Sequence, residues 1–251
     1  MAAALDAGVV LEAAFVERAR VDGAEAADLC ARLRDAGVDV VEVRDGTLAG
    51  ATATVTPQGI VAVATMDPGS VPVPGPARPT DGALGPMTGL VVVLVGVGDP
   101  GNAGTIVRSA EAAGAGAVVF CGGSVDPYSP KCVRATAGSL FHVSVVSGGD
   151  PVEVLERIGA QGWRRVGASS HRGAPYRHAE LGGFVAVVLG SEAHGLAPAV
   201  GGQIDDWVHI PMRGRVESLN VAVAGSLLCF EVARRHDQIA GGADTEMGPV
   251  G

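Results

Sequence analysis

The chain has 251 residues, enough for one large domain or two modest ones with a real core. Mean hydropathy is +0.33 with 4% aromatic residues, so the core must pack through small aliphatic side chains. No run approaches the roughly 18–20 uncharged apolar residues of a membrane span, no signal-peptide pattern opens the chain, and a formal charge of −9 argues, taken alone, against a nucleic-acid partner.

Residues 1–66 read as a small α/β unit. Residues 5–11 look like the tail of a helix that begins upstream, and 14–16 like a strand. A helix fits 24–34, and 38–43 alternates as a half-buried strand does. Residues 56–59 suit a turn, and 60–64, by composition, a buried strand. Residues 67–89 hold six prolines and few large side chains, the composition of a linker between two domains.

From residue 90 the pattern becomes strand, helix, strand, helix. Short apolar runs at 90–95, 117–120, 142–146, 165–168, 184–189 and 207–210 suit a parallel sheet covered on both faces. Helices fit 103–113, 131–138, 151–161, a short stretch near 197, and a long terminal segment. That last helix is apolar on two sides, with Leu219, Ala222, Val223, Leu227 and Phe230 on one stripe and Val221, Ala224, Leu228 and Val232 on another. Such a helix should be buried twice, against its own sheet and against a partner subunit. Residues 90–238 thus form the main domain, and 239–251, without periodicity, a disordered tail. Cys30, Cys121, Cys132 and Cys229 are scattered and lack nearby His ligands, which points to reduced thiols in the cytoplasm and to no metal site.

Three polar stretches carry candidate chemistry. Gly96-x-Gly98-x-x-Gly101 follows a strand and precedes a helix, the setting of a dinucleotide fingerprint and hence of an NAD(P)-dependent oxidoreductase. Pro100 removes an N–H from that turn, however, and no acid stands at the tip of the next strand to hold a ribose. Asn102 suits a helix cap, and Arg108 an i,i+3 pair with Glu111. The second stretch, Leu189 to Leu196, lies at the carboxyl end of an apolar strand, where open α/β sheets bind ligands. Gly190 and Gly195 allow close approach, while His194 is a weak candidate base. The third, Ile210 to Asn220, ends a strand at Pro211 and offers Ser218 as the N-cap of the terminal helix.

The motifs D-P-x-N-x-G-x-I-x-R from Asp99, L-G-x-E-x-x-G-L from Leu189 and I-P-M-x-G-x-x-x-S-L-N from Ile210 resemble, in this order, the three motifs of the SpoU (TrmH-type) RNA ribose 2′-O-methyltransferases. The segment from Tyr128 to Gly138 is similar to the stretch after the family's second strand, and the N-terminal unit to its small substrate-binding domain, with the first strand missing. The resemblance implies an α/β fold with a C-terminal trefoil knot, a homodimer through the knotted domain, S-adenosyl-L-methionine as methyl donor and no metal. It implies Arg108, Asn102, Glu192, Ser218 and Asn220 as the catalytic set. Donor binding would fall to Ala168, Ser169, Leu189, Gly190, Glu192, Gly195, Ile210, Met212, Ser218 and Leu219. RNA phosphates would meet Lys131, Arg134, Arg172, Arg213 and Arg215, with Arg177 a further candidate. Ribosomal RNA is the expected substrate and transfer RNA the alternative.

Overall fold

In the computed structural model the described residues are 1–21, 23–50, 59–66, 69–74 and 89–245, with the backbone alone described over 240–245. The expected turn at 56–59 lies outside them but for Gly59, and so does most of the 67–89 stretch. The chain divides into Met1–Asp67 and Pro68–Gly251.

The smaller unit holds helices α1 (Ala2–Asp6), α2 (Arg18–Val21) and α3 (Ala24–Asp35) and strands β1 (Leu11–Glu17), β2 (Asp39–Val43) and β3 (Ile60–Ala64). β1 is central, parallel to β2 and antiparallel to β3. Ala14, Leu33 and Val38 form its core. Two expectations fail here. The helix expected at 5–11 ends at Asp6, and Leu11 already belongs to the central strand. β3 is not fully buried: Ala62 packs on the core while Val63 is 45% exposed. An all-apolar strand in a three-stranded sheet still has only one face to bury.

The larger unit is a seven-stranded sheet of β4 (Leu90–Leu94), β5 (Ala117–Phe120), β6 (Ser144–Ser147), β7 (Arg164–Ala168), β8 (Ala174–Pro175), β9 (Val185–Leu189) and β10 (Asp206–His209). Their order is β6-β5-β4-β9-β7-β10-β8, and every pairing is parallel. The helices are α4 (Pro100–Ala112), α5 (Pro130–Ala135), α6 (Pro151–Ala160), α7 (Pro198–Gly201) and α8 (Val221–Thr245). Four of them start on proline, whose missing N–H costs nothing at a first helical position.

Alternation along the strands decides which helix lies where. Leu90, Val92 and Leu94 of β4 face Ile106 and Val107 of α4 and Leu228 and Val232 of α8. Val91 and Val93 face Val154, Leu155 and Ile158 of α6 and Val200 of α7. Both faces are therefore covered, as continuous apolar strands require. This is the α/β architecture expected from the sequence.

The residues after Pro68 are not all spacer. Trp163 Nε1 donates to the Pro72 carbonyl at 3.0 Å, Ser70 N donates to Ser144 Oγ at 3.0 Å, and Val71 packs on the α6 side of the sheet. Proline-rich composition hid this, because the partners lie more than 70 residues away. Of the 239–251 stretch expected as a disordered tail, 239–245 keep the helical backbone of α8, and 246–251 lie outside the described residues. Extending a nucleated helix costs little, and Glu231 accepts from both Arg234 and Arg235 at 2.9 and 3.0 Å to hold the turn beyond the core.

Candidate active site

A cleft of about 530 Å³ opens at the carboxyl ends of β7, β9 and β10 and is walled on its far side by the loop from Met212 to Leu219 and the start of α8. Gly190, just after β9, sits where no side chain fits. A Cβ there would lie 2.3 Å from the Gly195 carbonyl carbon. The intervening loop turns back on itself, with Gly195 N donating to Ser191 O at 2.9 Å and Ser191 N to Gly195 O at 3.2 Å. Backbone edges thus border the cleft directly. After β7, Ser169 Oγ accepts from His171 N and Arg172 N at 3.3 and 3.1 Å, a local turn that sharply bends the chain.

A chain of hydrogen bonds joins three distant stretches of sequence beside this cleft. Asn220 Nδ2 donates to Asn102 Oδ1 at 3.0 Å, and Asn102 Nδ2 donates to Glu192 Oε1 at 2.7 Å. Asn102 is freed for this role by its neighbour, while Asn220 caps a helix with its oxygen and links with its nitrogen. Asp99, not Asn102, caps α4: its Oδ1 accepts from Asn102 N at 2.8 Å. Asn220, not Ser218, caps α8: its Oδ1 accepts from Ala222 N at 2.9 Å and Val223 N at 3.4 Å. Helices α4 and α8 are tied further by Ser109 and Ser226, whose hydroxyls are 2.7 Å apart.

The same caps remove the dinucleotide reading. The Asp99 carboxylate already occupies the first turn of α4, where a pyrophosphate would need free N–H groups, and none of Gly96, Gly98 and Gly101 lines the cleft.

Residues 89–230 match the SpoU rRNA Methylase family. The chain belongs to that family. It is 32% identical over 198 residues to the 23S rRNA (guanosine(2553)-2′-O)-methyltransferase RlmP of Bacillus subtilis, a match spanning 79% of this chain and 74% of that one. Among solved structures it resembles the SpoU methyltransferase AviRb of Streptomyces viridochromogenes in complex with AdoMet, with TM-score 0.80 and 27% identity over 95% of this chain and 87% of that one. It also resembles the AdoMet-bound rRNA methyltransferase of Sinorhizobium meliloti, with TM-score 0.72 and 30% identity over 93% of this chain and 83% of that one.

In this SpoU chain all ten residues expected to hold the methyl donor line the cleft, from Ala168 and Ser169 through Gly190 and Glu192 to Ser218 and Leu219. The expected catalytic set is split. Glu192 and Ser218 line the cleft, Asn102 is tied to Glu192, and Asn220 is tied to Asn102. Arg108 does not line it. Its side chain stands exposed on α4, and the expected pair with Glu111 is absent among the described residues; Glu111 instead accepts from Ser139 Oγ at 3.4 Å. The expected RNA contacts also divide. Arg134, Arg213 and Arg215 are exposed, Lys131 Nζ lies 3.8 Å from Asp99, and the Arg177 guanidinium lies over the Tyr176 ring. Arg172 is in the cleft itself, over Trp207.

Sequence reasoning missed Trp207, His171 and Glu217 as cleft residues. Trp207 counted only as a strand residue, and nothing local says that its ring faces a ligand site. The cysteines are chemically quiet: burial pushes the Cys121 and Cys229 thiols up to about 12 and Cys132 to about 11. Among the described residues no His/Cys/Asp/Glu group could hold a metal ion, and no helix is long and apolar enough to cross a membrane.

Proposed function

We propose that this chain transfers a methyl group from S-adenosyl-L-methionine to the 2′-hydroxyl of an RNA ribose, with ribosomal RNA as the substrate class. One observation carries the reading: a preformed cleft at the carboxyl ends of β7, β9 and β10, beside which Asn220, Asn102 and Glu192 are joined. Its volume of about 530 Å³ falls in the range of roughly 300–1,000 Å³ usual for small-molecule sites. Apolar walls at Leu189, Ile210 and Leu228, with polar groups at Ser169, Glu192 and Ser218, suit a nucleoside carrying a polar tail. The Bacillus subtilis relative, which spans 79% of the chain, is named for 23S rRNA, so a tRNA substrate is not favoured.

Bound S-adenosylmethionine supplies a methyl group already activated by its sulfonium, and no metal is needed. The chain's part is positioning. Asn102, clamped between Asn220 and Glu192, fixes the first turn of α4 to the cleft rim. Arg108 holds the ribose hydroxyl and its neighbouring phosphate. A guanidinium with a pKa above about 12 is a poor base, so its contribution is charge and orientation. The exposed Arg134, Arg213 and Arg215 and Lys131 supply phosphate contacts, and the small N-terminal unit binds substrate RNA.

A homodimer accompanies this reading. Val223, Leu227 and Phe230 are 48%, 39% and 52% exposed along one side of α8, and a second copy would cover them. A trefoil knot is supported by the strand order: β9 enters between β4 and β7, β10 lies beyond β7, and the chain then returns to pack α8 beside α4. Four unpaired buried thiols suit the reducing cytoplasm.

The test is transfer of labelled methyl from S-adenosylmethionine to unmodified total RNA, wild type beside Arg108→Ala. Alkali-resistant label in the ribosomal size class, reduced at least about 100-fold in the variant, is the expected result. Label released by alkali, or none at all, would refute 2′-O transfer.

A further inference from the structure

Arg172 is built into the cleft more firmly than a surface arginine needs to be. Its backbone N–H is held by Ser169 Oγ at 3.1 Å. The next residue, Gly173, has φ +85°, and a Cβ there would overlap the Trp207 carbonyl, 1.8 Å away. The Gly173 carbonyl lies 3.0 Å from His209 Nδ1, and β8, starting at Ala174, pairs with Val208 of β10. The loop from Ser169 to Gly173 is therefore pinned at both ends. This leaves the Arg172 guanidinium 4.2 Å from the centre of the Trp207 ring.

A guanidinium lying over an indole keeps its N–H groups in its own plane, directed away from the ring. Among the described residues, no acceptor takes them. Among the described residues Arg172 is also the only arginine or lysine lining the cleft, whose acidic groups are Glu192 and Glu217. Glu192 is engaged by Asn102.

We infer that Arg172 binds the α-carboxylate of the methyl donor's amino-acid tail. This rests on the reading that the cleft holds S-adenosylmethionine. A donor with a sulfonium, an ammonium and one carboxylate can place the carboxylate against only one permanent cation here, and the two glutamates repel it. The planar fork of Arg172, held in place by Trp207, matches a carboxylate two-on-two. Arg172 is thus a donor-binding residue rather than one of the RNA contacts expected from the sequence.

The test is calorimetric binding of S-adenosylmethionine and of its decarboxylated analogue to wild type, Arg172→Ala and Arg172→Gln. Wild type should prefer the carboxylated ligand by about 10- to 100-fold, the scale of one charge-assisted bidentate contact. Both variants should lose that preference and bind S-adenosylmethionine about as weakly as wild type binds the analogue. Thermal melts without ligand should stay near wild type, because the side chain is exposed. Preference retained in either variant overturns the inference. So does unchanged donor affinity with weakened RNA binding, which would return Arg172 to the phosphate contacts. If wild type binds neither ligand, the donor reading of the cleft is what fails.

Discussion

The cleft and the outward side of helices α4 and α8 differ in how far their groups find partners within the single chain. At the cleft, Glu192 in its lining is joined to Asn102 and through it to Asn220 beside it, and the backbone turns at Ser169 and Ser191 close on themselves. On the helices, Arg108 has no ion pair among the described residues, and Val223, Leu227 and Phe230 stand open to solvent. The difference separates the two halves of the proposed reaction. One chain suffices to form the cleft, whereas in the proposed reading Arg108 and the apolar stripe are met by RNA and by a second copy.

The sharpest way to break this comparison is to place a charge on the open stripe. Phe230 is 52% exposed, so Phe230→Asp should leave the fold intact. In the proposed dimer it would strike a desolvated aromatic anchor, where losses of about 2–4 kcal/mol are typical. Sedimentation should show a species of twice the chain mass in wild type and a monomer in the variant at the same concentration, with methyl transfer falling in step. An unchanged mass would mean that something other than a second copy covers α8.

A smaller effect is expected inside the cleft's polar chain. Asn102→Ala removes the donor to Glu192 and the acceptor for Asn220 without touching the cap, which Asp99 provides. Glu192 is exposed enough for water to replace its partner, so the loss should be nearer about 1 kcal/mol than 3. That corresponds to roughly a fivefold drop in transfer rate, with the melting temperature within a degree or two of wild type. A much larger fall in stability would show that the chain of amides holds the fold rather than the site.

What the sequence disclosed and what it hid follow the range of the forces involved. Six of the seven strands of the larger unit were legible because continuous apolar runs demand cover on both faces, and the cleft residues were legible through the resemblance carried by the motifs from Leu189 and Ile210. Caps were misassigned at Asn102 and Ser218. The local rule sees any polar residue near a helix start, and cannot see that Asn102 has a better partner at Glu192, 90 residues on. β8 is only two residues long and carries no periodicity, yet its pairing with β10 sets the loop that lays Arg172 on Trp207. That placement comes from sheet register, so composition suggested only a phosphate contact. Ser70 and Pro72 were read as linker for the same reason, their partners being Ser144 and Trp163.

Completeness of partners should not be mistaken for stability, and a well-formed ion pair of the larger unit allows that to be measured. Arg165 meets Asp205 in a bidentate contact at 2.6 and 2.9 Å, and Asp205 Oδ2 also accepts from Arg165 N at 2.8 Å. The hydrogen bonds from the Arg165 side chain hold the Asp205 carboxyl below its ordinary range, against an opposing push from partial burial. A carboxyl depressed in the folded state stabilises the fold above its unfolded pKa of about 3.9, and that contribution fades as pH falls toward the folded value. Asp205 is 37% exposed, so solvent screens the pair and its worth at neutral pH is about 0.5–1 kcal/mol. Unfolding free energies of wild type and Asp205→Asn from urea titrations should therefore differ by that amount at pH 7 and converge as pH falls below the ordinary carboxylate range. A gap that persists in acid would assign the stabilisation to the geometry of the turn between α7 and β10, not to the charge of Asp205.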